Sequence, residues 1–289
     1  MTNDRPIKKP TVACCAIMKN ESPYIHEWVA HYKLLGFDQI AIYENDSSDR
    51  TPHLLNTLQL NGHISYFKWP SLDKKSPQLT AYEDFLTRTN CDWVLYCDAD
   101  EFLILNQHEN VKDFLASFSN DVTCVSINWH IFGSSGKEKR EHGLVISRFQ
   151  RASHFDFEVN KHVKSFVRPQ SVTTMHIHAP TTSGRMVYSD GSPLIFDHTQ
   201  TGIAPEIKID QAVIHHYFTK TREEWEVKKS RGNANRSIDA RDKFIRYHNA
   251  MFAKHDRNDI SVTTALKYES RIIEMVTGFL KELDSNAKT

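Results

Sequence analysis

No GxxxxGK[ST] loop, GxGxxG, HExxH or GxSxG occurs anywhere in the 289 residues, which removes the commonest NTPase, dehydrogenase, zinc-protease and serine-hydrolase signatures. Neither sign of charge is in excess. With 36 Lys and Arg against 36 Asp and Glu, nothing electrostatic points to nucleic acid or an anionic membrane as the main partner. Long apolar runs are missing too: stretches such as Trp93 to Cys97 are far too short to span a bilayer. Met1 to Pro10 is polar and lacks the apolar centre of a secretory signal. The five cysteines form no CxxC pair, and four of them sit in apolar strand-like runs, as reduced core residues of a cytoplasmic protein do. There is no internal repeat and no low-complexity tract. What remains is a globular composition, 39% apolar and 25% charged, at a length that fits one large domain or one domain with an appended lobe. A soluble intracellular enzyme is the expectation.

The first hundred residues alternate strand and helix. Thr11 to Met18 is an apolar run without alternation, the pattern of a strand covered on both faces. Ser22 and Pro23 offer a helix start, Ile25, Trp28, Val29, Tyr32 and Leu35 follow at helical spacing, and Gly36 ends it. Gln39 to Tyr43, His63 to Trp69 and Trp93 to Cys97 read as further strands. Helices separate them, one capped by Asp49 or Thr51 and one over Gln78 to Arg88. This rhythm predicts βαβ units and a mainly parallel sheet. In the second half, Val122 to Phe132, Gly143 to Phe149, Val163 to Val167, Val172 to His178 and Gln211 to Phe218 are candidate strands, while Gly133 to Glu141 and Thr181 to Pro205 read as substrate-facing loops. Glu223 to His255 is expected to be helical. Val262 to Leu283 marks a closing amphipathic helix that docks on the core and leaves peripheral membrane contact open.

Chemistry concentrates where strands end. The fourth strand runs straight into Asp98-Ala99-Asp100-Glu101-Phe102, at the carboxyl end of the sheet where α/β ligand sites collect. If the strand continues through them, Asp98 and Asp100 point to one side, and a divalent cation would relieve the repulsion of two carboxylates about 5 Å apart. The other reading is an acidic strand end capping the next element. The second strand ends in Glu44-Asn45-Asp46, which can bind ribose hydroxyls or a base edge, and the first ends in Lys19-Asn20-Glu21. Cap and turn preference explains each junction alone. The three together point to a nucleotide-plus-metal site.

Lys19-Asn20-Glu21, the Tyr24-Ile25-x-Glu27-Trp28 helix, Gly36, Tyr43 to Thr51 and Asp98 to Phe102 look like a nucleotide-sugar-dependent glycosyltransferase of the GT-A type. Their order and spacing resemble the family 2 and family 92 enzymes and their bacterial relatives. The likeness continues through Trp129-x-x-Phe132-Gly133, Lys164-x-x-x-Arg168-Pro169 and His216-Tyr217-x-x-Lys220 to Lys228 and Arg231-Gly232, and covers roughly residues 11 to 235. It implies a GT-A-like, Rossmann-related α/β fold with a mainly parallel sheet flanked by helices. A nucleotide-sugar half (11–120), a mixed acceptor-side half (121–260) and C-terminal helices (261–289) would divide it. Asp98 and Asp100 match the family's Asp-x-Asp motif, which holds manganese or magnesium against the donor diphosphate. His216 matches a late histidine that completes the metal shell, with His178 in reserve. Lys19, Asn20, Glu21, Glu44, Asn45, Gln78 and Asp98 fall where the donor is contacted, and Lys220 and Lys228 where the leaving diphosphate is neutralised. The general base is open among Asp156, Glu158, Asp190 and Glu206, with Asp156 and Glu158 in the expected part of the chain.

The implied activity is metal-dependent transfer of a sugar, from a UDP-linked donor and with inversion, to a glycan, lipid-linked acceptor or surface polysaccharide. Two rivals remain. A phosphotransferase or phosphohydrolase would use Asp98 as nucleophile, but its Asp-x-Asp pair usually follows the first strand. A non-catalytic nucleotide-sugar sensor would bind without turnover.

Overall fold

The computed structural model describes residues 9–72, 75–197, 202–231 and 248–286. Its first strand, β1 (Val12–Met18), is buried along its whole length because both faces are covered. The even-numbered residues of β1 pack with Trp28 and Leu55 of α1 (Ile25–Leu34) and α2 (Thr51–Leu60). The odd-numbered ones pack with Ala81, Tyr82 and Phe85 of α3 (Pro77–Arg88). Next to β1 on one side lie β2 (Gln39–Glu44) and β3 (Ser65–Lys68), and on the other β4 (Trp93–Tyr96), all parallel. The expected α/β class and the strand–helix rhythm of the first half are therefore what the chain adopts. Ser76 caps α3 by accepting the Leu79 N–H at 3.3 Å. α1 starts later than Ser22 and Pro23 imply, since residues 22–24 form a turn and Tyr24 is the N-cap.

The remaining strands are β5 (Glu101–Leu105), β6 (Val122–Ile131), β7 (Arg151–Ala152), β8 (Val163–Val167), β9 (Val172–Thr174), β10 (Thr181–Thr182), β11 (Arg185–Tyr188), β12 (Ala212–His216) and β13 (Ile260–Ser261), the last paired antiparallel with β7. Two short helices, α4 (Val111–Ala116) and α5 (Val145–Arg148), lie among them. The main sheet runs β3-β2-β1-β4-β8-β6-β12-β5. β8 lies antiparallel between β4 and β6, and β12 lies parallel to β6 and antiparallel to β5. β11 and β12 share the other edge of β6, at its beginning and its end respectively. This mixed half brings β5, β8 and β12 to the same end of the sheet as β1, β2 and β4.

Three expectations are corrected. Gly143 to Phe149 is not a strand: Val145–Arg148 is a helical turn, since the Glu27 carboxylate accepts the N–H groups of Val145 and Ile146 at 2.7 and 3.1 Å. Val172 to His178 is a strand only to Thr174, where its pairing with β10 ends, so His176 and His178 do not share a strand face. Thr181 to Pro205 is not wholly irregular, because Arg185–Tyr188 joins the main sheet beside β6. Of the expected helix from Glu223 to His255, Arg222–Arg231 (α6) and Asn249–His255 are helical, and residues 232–247, with the Gly232 of the resemblance, lie outside the described residues. The closing segment is a 3-10 turn, Thr264–Tyr268, leading into a helix, Glu269–Asn286, which packs on α1 and α2. No helix among the described residues is long and apolar enough to cross a membrane.

Candidate active site

The ends of β1 and β2 are tied to one another. Asn20 and Asp46 both take the left-handed conformation (φ 51° and 49°), which Asn and Asp tolerate best after glycine. Asn20 donates its N–H to Ser47 Oγ at 3.0 Å and accepts the Ser48 N–H at 2.7 Å. Glu21 donates its N–H to Thr51 Oγ1 at 2.9 Å. Glu44 accepts the Ser47 N–H at 2.5 Å. Asn45 is fully buried, and its amide reaches the Trp69 carbonyl and Ser71 Oγ at 2.9 and 3.0 Å. Lys19 is half-buried at the same edge. Of the donor-side residues expected from the sequence, Lys19, Asn20, Glu21, Glu44 and Asn45 thus share one rim, whose loops Glu44, Asn45 and Asn20 also build, whereas Gln78 pairs with Asp98 away from these loops.

β4 does not continue through the paired aspartates, contrary to the simplest reading of their spacing. Residues 98–101 form a turn in which the Glu101 N–H donates to the Asp98 carbonyl (3.1 Å) and the Asp98 N–H to Glu101 Oε2 (2.8 Å). The Trp28 indole N–H also donates to the Asp98 carbonyl, at 3.1 Å. The turn holds its carboxylates in separate pockets of positive charge. Asp98 accepts from Gln78 Nε2 at 2.7 Å and from Lys164 Nζ at 3.1 Å. Asp100 takes Lys228 Nζ on Oδ2 at 2.7 Å, and its Oδ1 faces His216 Nε2 at 3.5 Å. Lys164 Nζ also lies 3.6 Å from Glu101 Oε2. His216 reaches the turn because β12 pairs with β5 in a register that sets it opposite Glu101, whereas His215, one residue earlier, meets the rings of His130 and Phe132.

Burial works against each of these charges, and the partners decide the outcome. Burial would raise Asp100, but Lys228 and His216 hold it well below the usual carboxylate range. Asp98 is likewise lowered against burial by Lys164, with Asp100 opposing. Burial raises Glu101 to about 8; Lys164 opposes the rise, and Asp98 and Asp100 add to it. Burial lowers Lys164, yet Asp98 and Glu101 raise it further than burial lowers it. Burial lowers His216 below the ordinary imidazole value despite Asp100 beside it.

Two carboxylates and an imidazole are ligands that suit manganese or magnesium. Cis ligands of an octahedral ion with bonds of about 2.1 Å sit about 3 Å apart, close to the spacing of Asp100 Oδ1 and His216 Nε2. As the chain stands, no three such groups among the described residues converge on one point. The donor types nevertheless fit the ion, with Asp100 and His216 as the nearest pair and Asp98, one-third exposed, two residues away. His178, the reserve ligand, instead directs Nδ1 at the Val163 carbonyl (3.2 Å) and its ring at Trp129.

A cleft of about 540 Å³ opens beside the turn, lined by Asn20, Glu21, Tyr24, Arg140, Lys220 and Lys228, among others. Lys220 has a positive φ of 54°, unusual for a side chain of its size, and its Nζ lies 4.3 Å over the Tyr24 ring. The far wall is α6, and its first turn is a capping box. Glu224 donates its N–H to Thr221 Oγ1, and the Glu224 carboxylate accepts the Thr221 N–H, both at 3.1 Å. The same carboxylate accepts two bonds from Arg148 (3.0 and 2.8 Å) and one from the Tyr24 hydroxyl (2.8 Å). Lys228 stands one helical turn further on. Sequence reading assigned no role to Glu101, Lys164, Arg148 or Glu224, although Thr221-x-x-Glu224 is a readable cap signature.

Asp156 and Glu158 are exposed and line a second cleft, about 580 Å³, with Phe155, Lys161, Ile207 and Asp210; it shares no lining residue with the first. Glu158 pairs with Lys161 at 3.0 Å. Asp190 and Glu206 both face Lys208, at 3.5 and 3.3 Å. Trp129 stacks on His162 (4.8 Å, 9°) and meets His216 edge-on at 4.3 Å, so it packs inside the sheet end together with the buried Phe132.

A family model described as glycosyltransferase family 92 matches residues 9–255. A family 92 protein of Ricinus communis is 27% identical over 202 residues, covering 66% of this chain and 36% of the relative. One of Oryza sativa subsp. japonica is 26% identical over 135 residues, covering 46% and 23%. The matched stretches thus span about a quarter to a third of the curated relatives. Among solved structures, a mannosyltransferase of Pyrobaculum calidifontis in complex with GDP-Man and Mn2+ is a remote likeness, 18% identical, with a TM-score of 0.34 over 43% of this chain and 37% of that one.

Proposed function

The chain belongs to glycosyltransferase family 92, and on that premise we propose that it moves a sugar from a nucleotide-sugar donor, UDP-linked, to a hydroxyl of a glycan, lipid-linked acceptor or surface polysaccharide, with inversion. The observation that carries this reading is the convergence of Asp98, Asp100, His216, Lys164 and Lys228 on one turn beside the cleft. Residues 11–120 would receive the nucleotide and residues 121–260 the acceptor. Asp98, Asp100 and His216 would hold the divalent cation, whose chemistry when bound is to offset the charge that develops on the departing diphosphate. Lys228, fixed by Asp100 and the Phe218 carbonyl (2.8 Å), and Lys220, over Tyr24, would add positive charge from the opposite wall. Gln78 keeps Asp98 oriented from α3. Lys19, Asn20, Glu21, Glu44 and Asn45 form the rim at which the nucleoside would lie. Asp156 and Glu158 stand as the proposed proton acceptors on the acceptor side. All five cysteines are buried free thiols, which fits the reducing cytoplasm proposed as its compartment.

A thermal-shift screen of nucleotide sugars with and without manganese, followed by product analysis with glycan acceptors, tests the proposal. Manganese-dependent stabilisation by one nucleotide class, together with nucleoside diphosphate release on adding acceptor, is the expected result. Stabilisation without turnover under any acceptor would make the protein a sensor, and stabilisation by no nucleotide sugar would overturn the reading. Loss of turnover with intact donor binding in Asp156→Asn or Glu158→Gln would identify the base.

A further inference from the structure

Behind the Asp98–Asp100 turn, two buried polar atoms face each other with no hydrogen-bond partner: Glu101 Oε1 and His216 Nδ1, 4.0 Å apart. The backbone leaves them little freedom, because Glu101 and His216 are opposite one another in the antiparallel pairing of β5 and β12. The Tyr217 N–H also donates to the Asp100 carbonyl at 2.9 Å. Glu101 Oε2 is already held by the Asp98 N–H and by Lys164, so Oε1 is the oxygen left for the histidine. On the other side of the ring, Nε2 faces Asp100 Oδ1. The imidazole is therefore clamped between two carboxylates that differ in surroundings: Asp100 keeps a little exposed surface and is held by Lys228 of the cleft wall, while Glu101 has none.

A neutral imidazole carries one proton, so the nitrogen that meets a cation must be bare and the other must be protonated. A buried N–H is costly unless something accepts from it, and histidine ligands commonly donate to a carboxylate behind them. We infer that Glu101 is a positioning residue: its Oε1 accepts the Nδ1 proton of His216 and so presents a bare Nε2 beside Asp100 to a divalent cation. The present gap exceeds a hydrogen bond, and a movement of about 1 Å would bring the pair to bonding distance. The inference rests on the metal-binding reading of Asp98, Asp100 and His216. Its rival is a purely architectural Glu101, fastening the turn through Asp98 and Lys164 and indifferent to the histidine.

Manganese titrations of the full chain at one pH separate the two, using wild type, Glu101→Gln, His216→Gln and the double variant. A loss of ten- to a hundredfold in affinity is expected for Glu101→Gln, with the double variant no weaker than His216→Gln alone. Additive losses, or wild-type affinity in Glu101→Gln, would overturn the inference. Should that variant fail to fold, nitrogen NMR of the wild type loaded with magnesium decides, the His216 ring signals being identified by their loss in His216→Gln. A proton on Nδ1 is expected, and a proton on Nε2 would sink the idea. If wild type binds neither manganese nor magnesium, the metal reading fails and the positioning role fails with it. If wild type binds and the variants are additive, only the positioning role fails.

Discussion

Asp100 is almost entirely buried, and what keeps it charged is Lys228 on one oxygen and His216 beside the other. Removing one partner of such a pair leaves the other charge stranded, which typically costs about 3–5 kcal/mol. Asp100→Asn is therefore expected to lose stability on that scale in urea unfolding and to lose manganese-dependent stabilisation by the donor. Retained manganese dependence would place the metal elsewhere. Glu27 behaves in the opposite sense. Burial raises its carboxyl to about 7, although the Val145 and Ile146 amides, Arg148 and Lys220 pull it down, whereas an unperturbed glutamate titrates near 4.5. Between those values the folded state holds a proton that the unfolded chain has released. Stability should therefore fall as pH rises from about 4.5 to 7, by about 3 kcal/mol in all. Glu27→Gln should flatten that part of the profile when unfolding midpoints are compared at pH 5, 6 and 7.5. An unchanged slope would assign the titration to another group.

The helical turn Val145–Arg148 is too short to persist alone, and Glu27 supplies the cap from α1. Arg148, at its end, carries the constraint on to Glu224 and so to the first turn of α6. Two variants separate the local and the long-range part of that connection. Thr221→Ala removes only the cap and should cost about 1 kcal/mol. Glu224→Ala also leaves buried Arg148 without its carboxylate and should cost about 3–5 kcal/mol. Equal losses in denaturant unfolding would mean that the Arg148 pair contributes nothing beyond the cap. Gly133 limits a neighbouring connection: a Cβ there would collide with the Arg257 carbonyl, so the end of β6 and the segment after the Asn249–His255 helix can approach only with glycine at this position.

At the scale of the whole molecule, the closing helix Glu269–Asn286 lies beyond the stretch matched to the family and covers α1 and α2. Phe279 is its anchor, nearly buried and in ring contact with His26 and His63. Phe279→Ala should cost about 3–5 kcal/mol in stability while leaving manganese affinity unchanged, because its ring contacts are with His26 and His63 and not with the charged groups of the Asp98–Asp100 turn. A fall in affinity would show that the helix tunes the site through α1. The core beneath the helix is continuous with that of the sheet, running from Trp28 and Leu58 through Phe102 and Ile104 to Ile272 and Phe279.

The first half of the fold was legible because its determinants are local. Apolar runs without alternation, the stop at Gly36 and polar strand ends each act within a few residues, and βαβ units follow from their order. The paired aspartates, the late histidine and the two lysines were legible too, as residue types in an order that resembles a family. How they meet was not. The register of β12 on β5 sets His216 against Glu101, and β8 brings Lys164 under Asp98 from 66 residues away. The conformation of residues 145–148 depends on a carboxylate 118 positions earlier. A strand's pairing partner and a helix's remote cap are chosen by contacts far apart in sequence, which leave no periodicity to read; only the assembled sheet decides which charges become neighbours.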